Sequence, residues 1–467
     1  MNQKIINLIK GIIVIAVFSI VLSTVTRVLT IKSEDGIEQL WSLYKQKENT
    51  IDVVFLGSSK AYCMLDTGVL WDEKGIASFD TGGAEAPSWV CYYYMKELLK
   101  TQKPKVIMYE TTVAAYRNDV MEQPEVWSVV NNYGFHWNKN RIESLKLNTS
   151  KQNFYRLLFP LGSMHKNYAT LTKNDFVDEN NTINHKGFDS RETVVEFDTP
   201  DVKSVTERVP CNEKHLIYLQ KMIDLAKENN IEFVVMVSPY YVTQDEEKIF
   251  NYISDYCEEQ NVEFIDYNHL YDEMGLDFKT DMAENIHVNL SGSKKWSHYV
   301  ANQLAEKYEL SDHRGDSKYI SWEKDALWNR QDRLRYDLSK ADSVTNIAEI
   351  LKDNPNYLIY VSVNPNTNET SGEVIEALNT MGMENNYILP GANVILNNGN
   401  VGFASTEMIF KAFIDEKDIK LLYKRDDYYS NAKLFVNETV YEFSQDAIIN
   451  IKIYDRILKK IVLERSY

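Results

Sequence analysis

Val53-Val54-Phe55-Leu56-Gly57-Ser58-Ser59 is an apolar run that ends in a small polar turn. A short apolar run closed by glycine predicts a buried β-strand, and the residues after it predict the start of a helix. A serine at that point has its hydroxyl near the positive end of the helix dipole, where developing negative charge is favoured. The stretch therefore predicts a strand, a turn and a helix, with Ser59 as a candidate nucleophile. The alternative is that the serine only caps the helix.

More strand-like runs alternate with helical patterns through the first two thirds of the chain. The predicted strands are 53–56, 76–79, 106–109, 233–237 and 262–265. Strands that alternate with helices predict a parallel sheet covered on both faces, because each right-handed crossover returns over the sheet. The expected fold class is α/β, a three-layer α/β/α, flavodoxin-like arrangement. Functional sites in such sheets lie beyond the carboxyl ends of the strands.

A second motif, Glu284-Asn285-Ile286-His287, follows the last predicted strand and precedes Gly292 and an amphipathic helix. Its position predicts that His287 reaches the same edge of the sheet as Ser59. A histidine there can act as the general base for the serine, with Glu284 holding the imidazole in place. Asp281 is the alternative acid. The alternative is that His287 has no catalytic role and is a surface histidine, or a buried one whose hydrogen bonds are satisfied.

The composition excludes several classes of function. The formal net charge is −17, whereas nucleic-acid binding needs clustered Lys and Arg, so no nucleic-acid partner is expected. The four cysteines have neither CxxC nor zinc-like spacing, so we expect no disulfide framework and no metal. No phosphate-binding loop, dinucleotide fingerprint or HExxH motif occurs, and no cofactor is predicted.

The amino terminus contains an uncharged apolar run from Gly11 to Thr26. With its flanks it is long enough to cross a bilayer as a helix, which predicts a transmembrane anchor over 1–32. The alternative is a cleaved signal peptide. Lys4 and Lys10 precede the run and favour an amino terminus inside the cell. We therefore expect a single-pass protein of the cell membrane, with the bulk of the chain extracytoplasmic.

The rest of the chain divides into three parts by composition. Residues 33–315 carry the α/β pattern, 316–347 read as a polar helical linker, and 348–467 read as a β-rich domain. The α/β part contains an aromatic-rich insertion at about 118–210, and an insertion of that length usually has a function or a small structure of its own. Trp127, Tyr133 and Trp137 are candidates to bind substrate by stacking on sugar rings. The alternative is that these rings form a local core.

On these residues the first domain resembles the SGNH/GDSL hydrolase superfamily. The resemblance is to its membrane-anchored branch, near the D-alanyl-lipoteichoic acid protein DltD and bacterial polysaccharide O-acetyltransferases. The family's Gly-x-Ser block implies a nucleophile at Ser59, and its last block, Asp-x-x-His, implies Glu284 and His287. The resemblance also implies that the backbone N–H groups of Ser59 and Gly82 form an oxyanion hole.

The sequence departs from the family at one block. The Gly-x-Asn-Asp block expected after the third strand, whose Asn donates to the oxyanion, is replaced by Glu110-Thr111-Thr112. Thr111 or Thr112 is expected to donate instead. Loss of one such donor elsewhere costs about two to three orders of magnitude in turnover.

The carboxyl-terminal part resembles the ILEI/PANDER domain. The matching stretches are 375–382, 393–402, 431–437 and 450–455. The resemblance implies a compact β-rich sandwich, and it implies carbohydrate binding because a member of that family binds carbohydrate. A structural or protein-docking module is the alternative.

Together these features predict a membrane-anchored, SGNH-type serine esterase or O-acyltransferase. Its expected partner is a cell-surface polysaccharide or acylated glycan, with a membrane protein as acyl donor if the reaction is a transfer. The alternative is a catalytically inactive glycan-binding or assembly protein of an envelope polysaccharide pathway.

Overall fold

A computed structural model of the chain describes residues 3–30, 34–116, 131–352, 354–366, 371–397, 399–414, 419–425, 432–444 and 446–467. The chain forms two compact units, Met1–Ala326 and Leu327–Tyr467. The division falls inside the segment predicted as a linker. That segment is helical over most of its length, and Trp322 and Ala326 in its first part belong to the core of the first unit.

The first unit alternates helices with parallel strands. Its helices are α1 (Gln3–Leu29), α2 (Gln39–Tyr44), α3 (Ser59–Tyr62), α4 (Thr67–Lys74), α5 (Ser88–Leu98), α6 (Lys139–Leu147), α7 (Lys151–Leu158), α8 (Leu161–Met164), α9 (Glu213–Glu228), α10 (Gln244–Glu259), α11 (Tyr271–Met274) and α12 (Leu290–Lys307). Its strands are β1 (Val53–Gly57), β2 (Ser78–Gly82), β3 (Val106–Glu110), β4 (Glu232–Val237) and β5 (Glu263–Asp266), followed by a hairpin of β6 (Met282–Glu284) and β7 (His287–Val288).

The five-stranded sheet has the order β2-β1-β3-β4-β5, and all neighbouring strands in it are parallel. This is the flavodoxin-like order, so the predicted α/β fold class is confirmed. The chain moves from β1 outward to β2 and then returns to the other side of β1 to form β3. The connection reverses direction between β1 and β3, and ligands bind at that switch point in open α/β sheets.

Alternate residues of each strand face opposite sides of the sheet, as the pleat requires. On one side Val54 and Leu56 belong to a core with side chains from α5, α9 and α10. On the other side Val53 and Phe55 belong to a second core with side chains from α4 and α12. Two apolar layers therefore hold the ends of the strands in fixed positions.

Strand β2 differs from its prediction. Residues 76–79 were expected, whereas the strand spans Ser78–Gly82. It contains Asp80 and Thr81, both fully buried. Polar residues inside a buried strand break the apolar pattern, so the sequence signal shifted toward the preceding residues.

Helix α1 is exposed along most of its length. By length and composition it can cross a membrane, a property that an N-terminal signal sequence shares.

The second unit is rich in antiparallel strands, as predicted for this part of the chain. Helix α13 (Ile320–Lys340) crosses the division, and α14 (Val344–Leu351) and α15 (Gly372–Thr380) follow. The strands are β8 (Tyr357–Val363), β9 (Asn393–Asn397), β10 (Asn400–Ser405), β11 (Ile409–Ile414), β12 (Ile419–Lys424), β13 (Lys433–Val436), β14 (Thr439–Glu442), β15 (Ile449–Asp455) and β16 (Lys460–Ser466).

These strands form two sheets, β10-β9-β8-β15-β16 and β11-β12-β13-β14. One apolar core joins α14 and α15 to the five-stranded sheet. A second core joins residues of both sheets, including Tyr360, Tyr423 and Leu434. The unit is therefore a two-sheet sandwich with helices on one side.

Candidate active site

The candidate nucleophile lies where β1 meets α3. Ser58 caps the helix, since its Oγ accepts a hydrogen bond from the Lys60 amide at 3.2 Å. Ser59 is the first residue of α3, so its own amide has no acceptor within the helix. Its side chain is only partly buried. Of the two hydroxyls in the turn, that of Ser58 caps the helix, and that of Ser59 takes no part in the cap.

The candidate base and acid face each other across the β6–β7 hairpin. Glu284 and His287 are paired residues of the two strands, joined by the turn at Asn285 and Ile286. Directly opposed residues of antiparallel strands bring their side chains close together. His287 Nδ1 lies 2.7 Å from Glu284 Oε1, and His287 Nε2 lies 2.8 Å from Ser59 Oγ. Two loops 228 residues apart in sequence thus meet at one edge of the sheet.

The charges of the pair define the direction of each hydrogen bond. The hydrogen bond from His287 lowers the pKa of Glu284, so its carboxylate is ionised near neutral pH and can only accept. Nδ1 of His287 therefore donates a hydrogen bond to Glu284, and in the neutral ring Nε2 accepts a hydrogen bond from the Ser59 hydroxyl. Burial lowers the pKa of His287 below its usual value, although Glu284 opposes this. The imidazole is accordingly a neutral base near neutral pH.

Asn289 holds the hairpin from its carboxyl-terminal side. Its side-chain oxygen caps α12 by accepting from the amides of Ser291 and Gly292, while its Nδ2 donates to the Thr280 carbonyl at 2.8 Å. Gly292 has no room for a side chain, because an added Cβ would lie 2.6 Å from the Asp281 carbonyl oxygen. The turn itself is tied down by the Tyr241 amide, which donates to the Asn285 carbonyl at 3.1 Å.

The alternative acid, Asp281, has other partners. Its Oδ2 accepts from Lys295 Nζ at 2.6 Å and from the Asp277 amide at 2.8 Å. Its Oδ1 accepts from Ser291 Oγ at 2.8 Å. The carboxylate beside the imidazole is therefore that of Glu284, and Asp281 supports the start of α12.

Gly82 is the last residue of β2, where it pairs with Gly57 of β1. An added Cβ at Gly82 would lie 2.0 Å from the Gly57 carbonyl oxygen, so only glycine allows the two strands this close approach. The residue thus has a packing reason to be glycine besides its predicted oxyanion role.

The predicted donors Thr111 and Thr112 use their backbone amides elsewhere. The Thr111 amide donates to the Met236 carbonyl at 2.9 Å, and the Thr112 amide donates to Glu110 Oε1 at 2.7 Å. Both residues are buried. Their amides therefore serve the fold, whereas Thr112 Oγ1 is a buried hydroxyl without a hydrogen-bond partner in the described part of the chain. Donation to an oxyanion by the Thr112 hydroxyl, or by the Ser59 and Gly82 amides, stays a prediction.

Glu110 was missed as a site residue. It ends β3 at the switch point, is 1% exposed, and accepts a hydrogen bond from Ser58 Oγ at 2.7 Å. A carboxylate therefore occupies the place of the expected Asn block and ties β3 to the nucleophile turn. A charged residue closing the apolar run Val106–Tyr109 was the available signal.

Two of the three aromatic candidates line a cavity that the triad residues do not line. Tyr133 and Trp137 flank the Arg141 guanidinium at 4.5 and 4.4 Å from their ring centres. Both rings line a cavity of about 600 Å³ together with the carboxyl-terminal half of α1, and Ser59, Glu284 and His287 are not part of its lining. Trp127 lies outside the described residues. The role of these rings in binding substrate therefore stays a prediction.

One group of side chains has metal-ligand chemistry. Among the described residues, the ligand-type atoms of Glu247, Asp266 and His269 lie within 4.8 Å of one another. His269 Nε2 and Glu247 Oε1 are hydrogen bonded at 2.7 Å. Burial and the nearby Glu247 raise the pKa of Asp266 to about 7. Glu247 Oε2 and Asp266 Oδ2 have no hydrogen-bond partner in the described part of the chain, so the group can hold either a proton or a cation.

Comparison with solved structures finds a crystal structure from Bacteroides fragilis NCTC 9343 described as a "putative acylhydrolase". The two chains are 12% identical, the match covers 58% of this chain and 94% of that chain, and the TM-score is 0.27. Similarity at this level carries no functional argument. A scan against protein-family models finds no match. A search of curated proteins finds no relative.

Proposed function

We propose that this protein is a serine esterase or acyltransferase of the SGNH type. The observation that carries the proposal is the continuous hydrogen-bonded series of Ser59, His287 and Glu284, with distances of 2.8 and 2.7 Å. Nucleophile, base and orienting acid stand in the order that acyl transfer to a serine requires.

The mechanism follows from the protonation states. His287 Nε2 takes the Ser59 proton as Oγ attacks an ester carbonyl, and Glu284 stabilises the imidazolium that forms. The amides of Ser59 and Gly82 are the proposed donors to the oxyanion. The imidazolium then protonates the leaving alcohol, and an acyl-enzyme remains. Water as the second acceptor makes the protein an esterase, and a sugar hydroxyl makes it an O-acyltransferase.

We further propose that the substrate is a cell-surface polysaccharide or an acylated glycan. Support comes from the exposed apolar helix α1, which suits a membrane anchor, and from the resemblance of the second unit to the ILEI/PANDER domain. In a transfer reaction, a membrane protein would supply the acyl group. Retention of the full chain on immobilised envelope polysaccharide tests the glycan part, and equal retention on an uncoated matrix contradicts it.

Ester turnover by the full, detergent-solubilised chain tests the catalytic part. We expect Ser59→Ala and His287→Ala each to lower the rate on p-nitrophenyl acetate by at least about 1,000-fold, as in other triads. His298→Ala is the matched control, because His298 pairs with Glu73 at 2.8 Å on an exposed surface. Equal rates in the parent, Ser59→Ala and His287→Ala would contradict the proposal.

An inactive glycan-binding or assembly protein is the second candidate. The absence of the family's Asn block favours it, because Glu110-Thr111-Thr112 stands in its place and the Thr111 and Thr112 amides are engaged within the fold. A fluorophosphonate probe separates the two candidates. Labelling at Ser59 supports the enzyme, and glycan retention without labelling supports the binding protein.

A further inference from the structure

Lys60 follows the candidate nucleophile and is almost completely buried. Its side chain belongs to a residue only 3% exposed. The ammonium lies over two aromatic rings, 4.4 Å from the centre of Tyr240 and 5.0 Å from that of Tyr116. A charged group is therefore buried one residue from Ser59.

Two other buried lysines of the described residues show how this protein usually accommodates such a charge. Lys186 lies over Trp322, and its Nζ has Gln46, Ser321 and Asp325 as partners at 2.9 to 3.0 Å. Lys452 lies near two aromatic rings and forms an ion pair with Glu464. In both cases a carboxylate completes the site.

Lys60 differs from these lysines in having no such partner. Within the described ranges, no acceptor lies within hydrogen-bond distance of its Nζ and no carboxylate lies within ion-pair distance. Burial lowers the pKa of Lys60, and Glu110 opposes this only from farther away. Both Glu110 oxygens already accept hydrogen bonds, from Ser58 Oγ and from the Thr112 amide.

The energetics of this arrangement call for an additional group. Burying an unpaired charge is unfavourable, and the two aromatic faces offset only part of that cost. An ammonium has three N–H donors, which the rings do not satisfy as oxygen acceptors would. A ligand that brings oxygen atoms would satisfy them.

The surroundings of Lys60 leave a route for such a ligand. Tyr116, which covers one side of the ammonium, is 41% exposed. The neighbouring Ser59 is partly exposed, and the Lys60 backbone is held by Ser238 Oγ, which donates to its carbonyl at 2.9 Å. The ammonium is also close enough to Glu284 and His287 to act on their charges. A group bound to it would lie beside an ester at Ser59.

We propose that Lys60, between Tyr116 and Tyr240, binds an anionic oxygen group of the substrate, a carboxylate or a phosphate, next to the reacting ester. This inference rests on the proposed function and narrows its substrate to an ester that carries such a group.

Matched ester pairs test the inference with the full chain. In the first pair, mono-p-nitrophenyl succinate differs from p-nitrophenyl butyrate by a carboxylate on the acyl side. In the second pair, glycerol phosphate monoacetate differs from glycerol monoacetate by a phosphate on the alcohol side. We expect Lys60→Met to lower the ratio of kcat/KM for the anionic over the neutral ester by about 30-fold or more in one pair, through KM. The pair that responds identifies the anion.

Two further variants keep the result interpretable. Lys60→Arg retains the charge and should retain most of the preference for the anionic over the neutral ester. Lys186→Met removes a buried lysine whose partners are internal, so the ratio should stay constant. An unchanged ratio in Lys60→Met overturns the inference. An equal fall of kcat for both members of each pair also overturns it, since the charge would then serve the transition state of every ester.

A binding measurement separates this inference from the proposed function. In full-length Ser59→Ala, thermal unfolding is measured with and without inorganic phosphate or succinate, and the measurement is repeated in Ser59→Ala/Lys60→Met. We expect one of the anions to raise Tm in the first variant and not in the second, because a ligand that binds only the folded chain stabilises it. A Lys60-dependent rise in Tm without ester turnover by the parent chain supports the anion site and refutes the esterase. Ester turnover that depends on Ser59, without a Lys60-dependent rise in Tm, refutes the anion site alone.

Discussion

His287 combines burial with a single carboxylate partner, and this combination has a measurable consequence for pH dependence. The base must be neutral to accept the Ser59 proton, and burial lowers its pKa below the ordinary 6.5. We therefore expect kcat/KM for a neutral ester to stay near its maximum at pH 6.5 and to fall only at lower pH. A pH–rate profile of the full chain measures this. An acid limb centred above pH 6.5 would contradict the assignment of His287 as the base.

Asp266 predicts a pH dependence of stability rather than of activity. Its pKa is raised from 3.8 to about 7 by burial and by Glu247, so the folded chain holds a proton that the unfolded chain releases between those values. Stability from this group is therefore present at low pH and lost as pH rises toward 7. Asp266→Asn should reduce this fall in the free energy of unfolding with pH. Each kcal/mol of unfolding free energy that the variant keeps at pH 8 should raise its Tm by about 2–4 °C relative to the parent.

Thermal unfolding at pH 5 and pH 8 measures the effect. Asp255→Asn is a suitable control, because Asp255 is an exposed carboxylate on α10 whose pKa is lowered by Arg208. If Asp266→Asn shows the same pH dependence as the parent, Asp266 does not hold the proton.

Single residues differ in how far the sequence reveals them. Ser59, Glu284 and His287 lie in local patterns that predict their roles, and the structure brings their side chains together. Lys60 and Glu110 were not predicted as site residues, because their surroundings arise only where the segments that follow β1, β3 and β4 meet. The order of strands in the sheet brings these segments together, and no single segment reveals it.

The close approach of α12 to the catalytic hairpin rests on Gly292. A Cβ there would lie 2.6 Å from the Asp281 carbonyl oxygen and 2.8 Å from Val288 Cβ. Gly292→Ala should therefore destabilise the first unit by about 1–3 kcal/mol, as overpacking does, and displace His287. Gly162→Ala in α8 is the matched control, since nothing lies within 4 Å of its added Cβ. Equal Tm and equal ester turnover in both variants would contradict this role of Gly292.

Secondary-structure elements were predictable where apolar residues are continuous or alternate cleanly. β1 and β3 follow their predicted apolar runs closely, whereas β2 carries buried polar residues and was placed too early. Four strands of the second unit were not predicted, namely β10, β11, β14 and β16. Each lies at the edge of its sheet, and exposed side chains interrupt its apolar pattern. Polar groups inside strands and exposure at sheet edges were the two physical causes of error.

At the scale of the whole chain, α1 decides whether the protein stays in the membrane. The helix is long and apolar enough to span a bilayer. If it is an uncleaved anchor, the full chain should remain in the membrane pellet after an alkaline carbonate wash, whereas a chain starting at Glu34 should not. Immunoblotting of pellet and supernatant measures this. A shortened, released product of the full gene would indicate a cleaved signal sequence instead.

The fold class and the position of the candidate site could be predicted from the sequence because both follow from one rule. The strands of a parallel sheet present their carboxyl ends at a common edge. The 600 Å³ cavity beside α1 was not accessible in this way. It is formed by segments distant along the chain, including parts of the insertion that have no repeating pattern.

Under the proposed function, the 228-residue separation between Ser59 and His287 makes ester turnover a sensitive measure of the integrity of the first unit. A protease cut in the exposed stretch between Thr193 and Asp201 would leave both pieces folded against each other while loosening the register of the hairpin. Enzymatic rate would then decay ahead of any change in circular dichroism. Inactivation that runs in step with global melting would instead mean that the two halves of the site are locked by the whole sheet.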